Sequence, residues 1–92
     1  MFDNKYSHTT VDDFDCAVNR GRSSHALYLL NHWLQDPASK PELAAIANTF
    51  EVLHGHASDC MEARDQLPNF IAVDHYDQGD LFEVVRALNG LN

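Results

Sequence analysis

Basic side chains are scarce in this chain. It has 6 Lys and Arg against 14 Asp and Glu, which gives a formal net charge of −8. Proteins that bind nucleic acid or anionic lipid directly need Lys and Arg gathered on one face. The composition therefore argues against both kinds of contact and indicates a partner protein whose surface is basic or apolar.

Long apolar runs are missing too. No stretch approaches the about 18 apolar residues that would cross a bilayer, and the opening residues MFDNKYSHTT contain no apolar segment of a signal peptide. We expect the only two cysteines, Cys16 and Cys60, to be reduced and to pack as small apolar side chains. A disulfide between them is the alternative in an oxidising compartment. The lack of a membrane span and of a signal segment predicts a cytoplasmic protein, and the expectation for the cysteines follows from that location.

The most regular stretch is 41–67, with the sequence PELAAIANTFEVLHGHASDCMEARDQL. Its apolar residues recur mostly at steps of three and four, the spacing of one helical face: Leu43, Ile46, Phe50, Leu53, Ala57, Cys60 and Leu67. Pro41 suits a first helical turn, with Ser39 as a capping residue, and Pro68 disfavours helix at the residue before it. We predict one long helix over 41–67. Gly55 leaves open two helices broken near His54–His56, although the apolar register continues through the glycine.

Periodicity and capping residues predict three further helices, at 11–20, 24–35 and 80–89. The predicted fold is therefore all-α: a small antiparallel bundle of about four helices around the long helix at 41–67, in a single helical domain, 1–92. The alternative is an α+β fold with a minor two-strand element at 2–6 and 70–73.

Four potential metal ligands lie within seven residues: His54, His56, Asp59 and Cys60. On a continuous helix His56, Asp59 and Cys60 share a face, but zinc needs three or four ligands in tetrahedral array. The stretch has neither a C-x-x-C pair nor an H-E-x-x-H motif, and Cys60 fits a core position. We therefore assign no metal ligand and expect no cofactor. A metal-binding module or small metal-dependent hydrolase built on this cluster is the alternative function.

A second polar group lies at 74–80, where an Asp–His pair begins the sequence DHYDQGD. Such a pair can orient a general base. No serine or cysteine lies in a recognisable nucleophile turn, and the spacing of Asp74, Asp77 and Asp80 does not fit an EF-hand. A polar loop that caps the last helix explains the same residues, so we assign no catalytic residue here.

Surplus apolar side chains and acids suggest a contact surface. The stretch LYLLNHW is more apolar than the inner face of a small bundle requires, and several acids of 41–67 lie off its apolar stripe. The predicted partner-binding residues are Tyr28, Leu29, Trp33, Glu51, Asp59, Glu62 and Asp65. We predict a small acidic, non-catalytic regulator or inhibitor that occupies the surface of another protein. A nucleic-acid-mimicking inhibitor is the sharper form of this hypothesis, and a homodimer is a further option.

Overall fold

The structure is a computed structural model of the 92-residue chain, and it describes residues 1–6, 8–22, 24, 26–36 and 38–90. Its elements in chain order are strand β1 (Phe2–Asp3), a 3-10 turn (Val11–Asp13), strand β2 (Tyr28–Asn31), helix α1 (Pro41–Ala47), helix α2 (Phe50–Arg64), strand β3 (Phe70–Ala72) and helix α3 (Leu81–Leu88). The fold is a small α+β domain.

The three strands form one parallel sheet in the order β1-β2-β3. Phe2 pairs with Tyr28, and Leu29 pairs with Phe70. The all-α prediction was therefore wrong, because the middle of the segment predicted as a helix over 24–35 is the central strand. The α+β alternative placed strand segments at 2–6 and 70–73, but these do not pair with each other; both pair with β2.

The core lies between the sheet and α2. The rings of Phe2 and Tyr28 stack with centroids 4.5 Å apart and an interplanar angle of 9°, and both residues are fully buried. Leu30 from β2 joins them, and α2 contributes Ala57 and Cys60. Leu53, Ala57 and Cys60 of the predicted apolar stripe are buried on α2, together with His56, which the stripe did not include. Phe50, Ile46 and Leu67 of the same stripe are exposed.

The stretch predicted as one helix over 41–67 is two helices. The chain leaves α1 at Asn48 and begins α2 after Thr49, whose backbone is extended (φ −61°, ψ 151°). The break does not fall at Gly55, which lies inside α2 as the continuous register predicted. The predicted helix at 11–20 is only a 3-10 turn, whereas the last helix was placed correctly.

Cys16 and Cys60 form a disulfide across a sequence separation of 44 residues. The expectation of reduced thiols was therefore wrong, and the inward position of Cys60 serves a covalent link as well as packing. This link ties the segment after the 3-10 turn to α2. Among the described residues, no helix combines the length and apolarity needed to span a bilayer.

Candidate functional site

The carboxyl ends of the three strands meet at one edge of the sheet, because the strands are parallel. Asn4 follows β1, His32 follows β2, and Val73 and Asp74 follow β3. Ligands of parallel α/β sheets commonly bind outside the carboxyl ends of the strands. This carboxyl edge is therefore the first place to look for a functional site.

Asn4 and Asn31 lie buried at the carboxyl edge, where β1 and β2 end, and form its floor. The amide of Asn4 donates to the Asn31 carbonyl oxygen at 3.0 Å, and its Oδ1 accepts the Asn31 backbone N–H at 2.7 Å. The Asn31 side chain donates in return to the Asn4 carbonyl oxygen at 2.9 Å and to Asp3 Oδ2 at 3.1 Å. Both asparagines are buried, so these bonds fix β1 against β2 beyond the point where β1 ends.

Both carboxylate oxygens of Asp3 accept hydrogen bonds from other parts of the fold. Its oxygens accept from the Arg20 backbone N–H and Nε, both at 3.0 Å. Burial alone would raise the pKa of Asp3, but the hydrogen bonds from Arg20 and Asn31 outweigh it and lower the pKa below its usual range. Since its oxygens already have several partners, Asp3 holds the sheet together rather than offering a free group to a ligand.

A buried aromatic and histidine cluster lies beside this floor. Phe14 stacks on the ring of His32 at a centroid distance of 4.1 Å and on that of His56 at 4.8 Å. His8 packs against Phe14 at 4.7 Å, and its Nδ1 donates to the Trp33 carbonyl oxygen at 3.1 Å. Because burial disfavours the charged form, it lowers the pKa of all three histidines, that of His32 to about 3.

Three polar side chains at the carboxyl end of β3 reach the surface: Ser39, Asp74 and His75. The Ser39 hydroxyl donates to Asp74 Oδ2, and Ser39 Oγ lies 3.2 Å from His75 Nε2. Because the single hydroxyl proton points to the carboxylate, the contact with His75 is an Nε2–H donation to the oxygen of Ser39. Asp74 Oδ1 is buried and has no hydrogen-bond partner among the described residues. A hydroxyl, a carboxylate and an imidazole thus meet near the surface, where Ser39 and His75 are exposed and Asp74 is half-buried.

The junction between α1 and α2 positions this surface cluster. Asn48 Nδ2 donates to the Asp74 carbonyl oxygen at 3.1 Å, and the Asn48 carbonyl accepts the Asp80 N–H at 2.8 Å. Gly79 passes so close that a Cβ there would lie 2.5 Å from the Asn48 carbonyl oxygen. His75 itself has a positive φ of 42°, which is unusual for a residue other than glycine. Contacts with Asn48 thus position the loop at both its ends.

The surface cluster has the group types needed for proton transfer. A carboxylate can accept a proton from an attacking hydroxyl, and an imidazole can exchange a proton with a leaving oxygen. Ser39 links the two by hydrogen bonds. His32 and His56 are different, because their nitrogens face carbonyl oxygens or each other and are buried.

The four residues of the alternative metal-binding function do not come together as a set: His54, His56, Asp59 and Cys60. His56 and Cys60 are buried beside Cys16, with ligand atoms all within 4.8 Å of one another. Both sulfurs belong to the disulfide, so neither is the thiolate that zinc requires. Elsewhere on α2, His54 stacks on Phe50 at 4.9 Å, and Asp59 is exposed.

The predicted partner-binding residues are spread over the molecule. Tyr28 is fully buried in β2, and burial raises the pKa of its phenol. Leu29 and Trp33 are half-buried. The four acids are exposed: Glu51, Asp59 and Glu62 along α2, and Asp65 at its end. Partner binding through these residues stays a prediction.

Sequence reasoning missed Ser39, Asn48 and the histidine cluster around Phe14. A signal for the carboxyl edge was present at two of the strands, where short apolar segments run into Asn or Asp: YLLNH and IAVDH. Apolar runs that end in polar groups are typical of parallel strands entering a site. Ser39 and Asn48 carried no comparable signal, because the turns that place them depend on tertiary contacts.

Comparison with known proteins identifies one matching family model. The family model for the PI-PLC X domain, described as PI-PLC X 1, matches residues 1–89. The comparisons with curated proteins and with solved structures gave no match.

Proposed function

Because the chain belongs to the PI-PLC X family, we propose that it is a phospholipase C-related domain and that its carboxyl edge takes part in cleaving a phosphodiester. The observation that carries this proposal is the cluster of Ser39, Asp74 and His75 at the carboxyl end of β3. It combines an accessible imidazole with a carboxylate whose Oδ1 has no hydrogen-bond partner among the described residues.

Phosphodiester cleavage requires two proton transfers. An attacking hydroxyl forms a bond to phosphorus and loses its proton, while the bond from phosphorus to the leaving alcohol breaks and that oxygen gains a proton. Asp74 is the carboxylate of the cluster and accepts the first proton; its Oδ2 is the oxygen that contacts Ser39, and its Oδ1 is buried. When its ring is an imidazolium, His75 is placed to supply the second proton from Nε2–H, which leaves a neutral imidazole. The cluster then gains one proton and loses one, so its net charge does not change.

The surroundings of this cluster are acidic. Asp77 and Asp80 follow in the same loop, and the whole chain carries a formal charge of −8. An anionic phosphodiester is repelled by such a surface, and dissolved salt screens that repulsion over about 10 Å at 0.1 M. Substrate binding should therefore improve, rather than weaken, as ionic strength is raised from a low value.

A hydrolysis assay tests the proposed function. Vesicles of phosphatidylinositol are incubated with the wild-type chain, and release of diacylglycerol is followed. We expect hydrolysis by the wild type and a loss of about 100-fold or more in Asp74→Asn, because the amide cannot accept the proton. Vesicles of phosphatidylcholine show whether the headgroup matters.

Asp77→Asn is the matched control. Asp77 is exposed in the same loop and the substitution removes the same charge, but it leaves the contact with Ser39 intact. The control should keep the wild-type rate. An inactive wild-type chain, or equal rates in the two variants, would overturn the proposal.

The inhibitor hypothesis has no support in the fold or in the family. The expectation of reduced cysteines followed from the predicted cytoplasmic location, and the disulfide contradicts that expectation. Disulfides persist mainly in oxidising compartments. The location therefore stays a prediction, which fractionation of source cells can test.

A further inference from the structure

His32 and His56 face each other in a continuous chain of close polar contacts. Their Nδ1 atoms are 2.7 Å apart. At the outer ends, His32 Nε2 lies 2.7 Å from the Ala47 carbonyl oxygen, and His56 Nε2 lies 2.8 Å from the Asp15 carbonyl oxygen. Both histidines are buried, with 0% and 6% of their surface exposed.

The hydrogen-bond partners of the four ring nitrogens determine how many protons the two histidines must carry. A carbonyl oxygen can only accept, so both Nε2 atoms must carry a hydrogen. Two neutral imidazoles bring only two such protons, and the Nδ1 atoms would then present two lone pairs to each other at 2.7 Å. A third proton is needed to make that contact a hydrogen bond. We propose that the His32–His56 pair binds one proton, shared between the two Nδ1 atoms, as a buried imidazole–imidazolium pair.

The surroundings favour a single positive charge. The face of Phe14 covers both rings, with interplanar angles of 21° and 19°, and an aromatic face attracts a cation. The charges of Asp15 and Asp59 raise the proton affinity of His56, and Glu51 lines the same groove as His56. A charge on His8 would oppose it through His32, but burial lowers the pKa of His8 as well and favours its neutral form.

Burial sets the limit to this charge. It lowers the pKa of His32 to about 3 and also lowers that of His56, so a second proton on the pair is excluded near neutral pH. The first proton differs, because it completes a hydrogen bond between two nitrogens that would otherwise repel each other. Charge-assisted bonds of this kind are stronger than neutral ones.

The shared proton joins two parts of the fold. His32 follows the carboxyl end of β2, and His56 lies on the buried face of α2. Loss of the proton at high pH would leave facing lone pairs and weaken the contact between strand and helix. The pair is thus a proton-binding site inside the domain, separate from the surface cluster of Ser39, Asp74 and His75.

Nitrogen NMR of the uniformly ¹⁵N-labelled wild-type chain tests this proposal. At about pH 6, both Nε2 atoms of the pair should show the shift of protonated nitrogen, and both Nδ1 atoms a shift between the protonated and unprotonated values. Nitrogen shifts report protonation even where the proton itself exchanges too fast to be seen. Raising the pH should move the two Nδ1 signals together, with one apparent pKa.

Two results would overturn the shared proton. One is a pair whose Nδ1 atoms both show the unprotonated shift at about pH 6. The other is an unprotonated Nε2 on either ring, which would indicate a neutral pair with a different tautomer or a flipped ring. His54→Gln serves for assignment, because His54 lies outside the pair and its substitution should leave all four signals in place.

Discussion

Asn4 and Asn31 join β1 to β2 through their side chains at the point where β1 ends. The Asn4 amide pairs with both the N–H and the carbonyl of Asn31, as a further strand residue would. Strand β1 has only two residues, Phe2 and Asp3. So short a strand has few backbone bonds, and the asparagine pair extends its pairing with β2.

Asn4→Ala should lower the free energy of unfolding by about 2–4 kcal/mol, because it leaves a buried N–H and a buried carbonyl of Asn31 without partners. Urea unfolding measures this loss. Asn19→Ala is the control, since the Asn19 side chain is exposed and its backbone bond to Asp3 is kept. If both variants lose the same small amount, the asparagine pair contributes nothing specific to the sheet.

Reduction of the Cys16–Cys60 disulfide should also destabilise the fold. The link closes a loop with a sequence separation of 44 residues, and constraining such a loop in the unfolded chain stabilises the native state by about 4 kcal/mol in the chain-entropy model. We expect about 2–4 kcal/mol to be lost on adding reductant, measured by urea unfolding.

The double variant Cys16→Ser/Cys60→Ser is the control for reduction. It should unfold as easily as the reduced wild type, and added reductant should not change it further. Mass spectrometry of the native chain after thiol labelling checks the bond directly. Two labelled cysteines in the untreated protein would contradict the disulfide.

The strands explain why the fold was predicted incorrectly. Tyr28, Leu29 and Leu30 form a short apolar run, which periodicity cannot distinguish from part of a buried helix. Leucine has a high helix propensity, and the flanking residues allowed the pattern to extend over 24–35. A central parallel strand is buried on both faces, so it lacks the alternation that marks an exposed strand.

The helices show what local pattern can predict. Spacing predicted that Leu53, Ala57 and Cys60 face inward on α2, although Phe50 of the same stripe is exposed. It also placed α3 to within one residue at each end. The break between α1 and α2 at Asn48 was not predicted, because it depends on contacts with the distant residues Asp74 and Asp80. For the same reason, Asp74 and His75 could be named as a polar pair, but their contact with Ser39 could not.

Gly79 and Gly55 give opposite predictions for the same substitution. Gly79 has a φ of +92°, and an added Cβ would lie 2.5 Å from the Asn48 carbonyl oxygen. Gly79→Ala should therefore lower the free energy of unfolding by about 1–3 kcal/mol and reduce hydrolysis by shifting Asp74 and His75. Thermal unfolding and the vesicle assay measure the two effects.

Gly55→Ala is the matched comparison. It lies inside α2, and an added Cβ meets nothing within 4 Å. The substitution should raise the free energy of unfolding by about 0.5–1 kcal/mol, since alanine is the better helix former. A destabilised Gly55→Ala would mean that the helix does not run continuously through this position.

Acidification from about pH 7 to about pH 5 should destabilise the domain, and His8 should account for part of the loss. Burial lowers the pKa of His8, and its Nε2 has no hydrogen-bond partner among the described residues. The folded chain therefore keeps His8 neutral below the ordinary pKa of 6.5, whereas the unfolded chain takes up a proton there. The stabilisation is complete above that value and is lost as the pH falls below it.

His8→Phe should make this pH dependence shallower, because it keeps a ring beside Phe14 but removes the titrating group. Urea unfolding at several pH values measures the slope, and His54→Gln controls for the loss of a histidine outside the buried cluster. An unchanged slope in His8→Phe, or a domain that gains stability on acidification, would contradict the prediction. The sign holds even if His32 and His56 share one proton, since the unfolded chain binds a proton at each of the three histidines and the folded chain then holds only one.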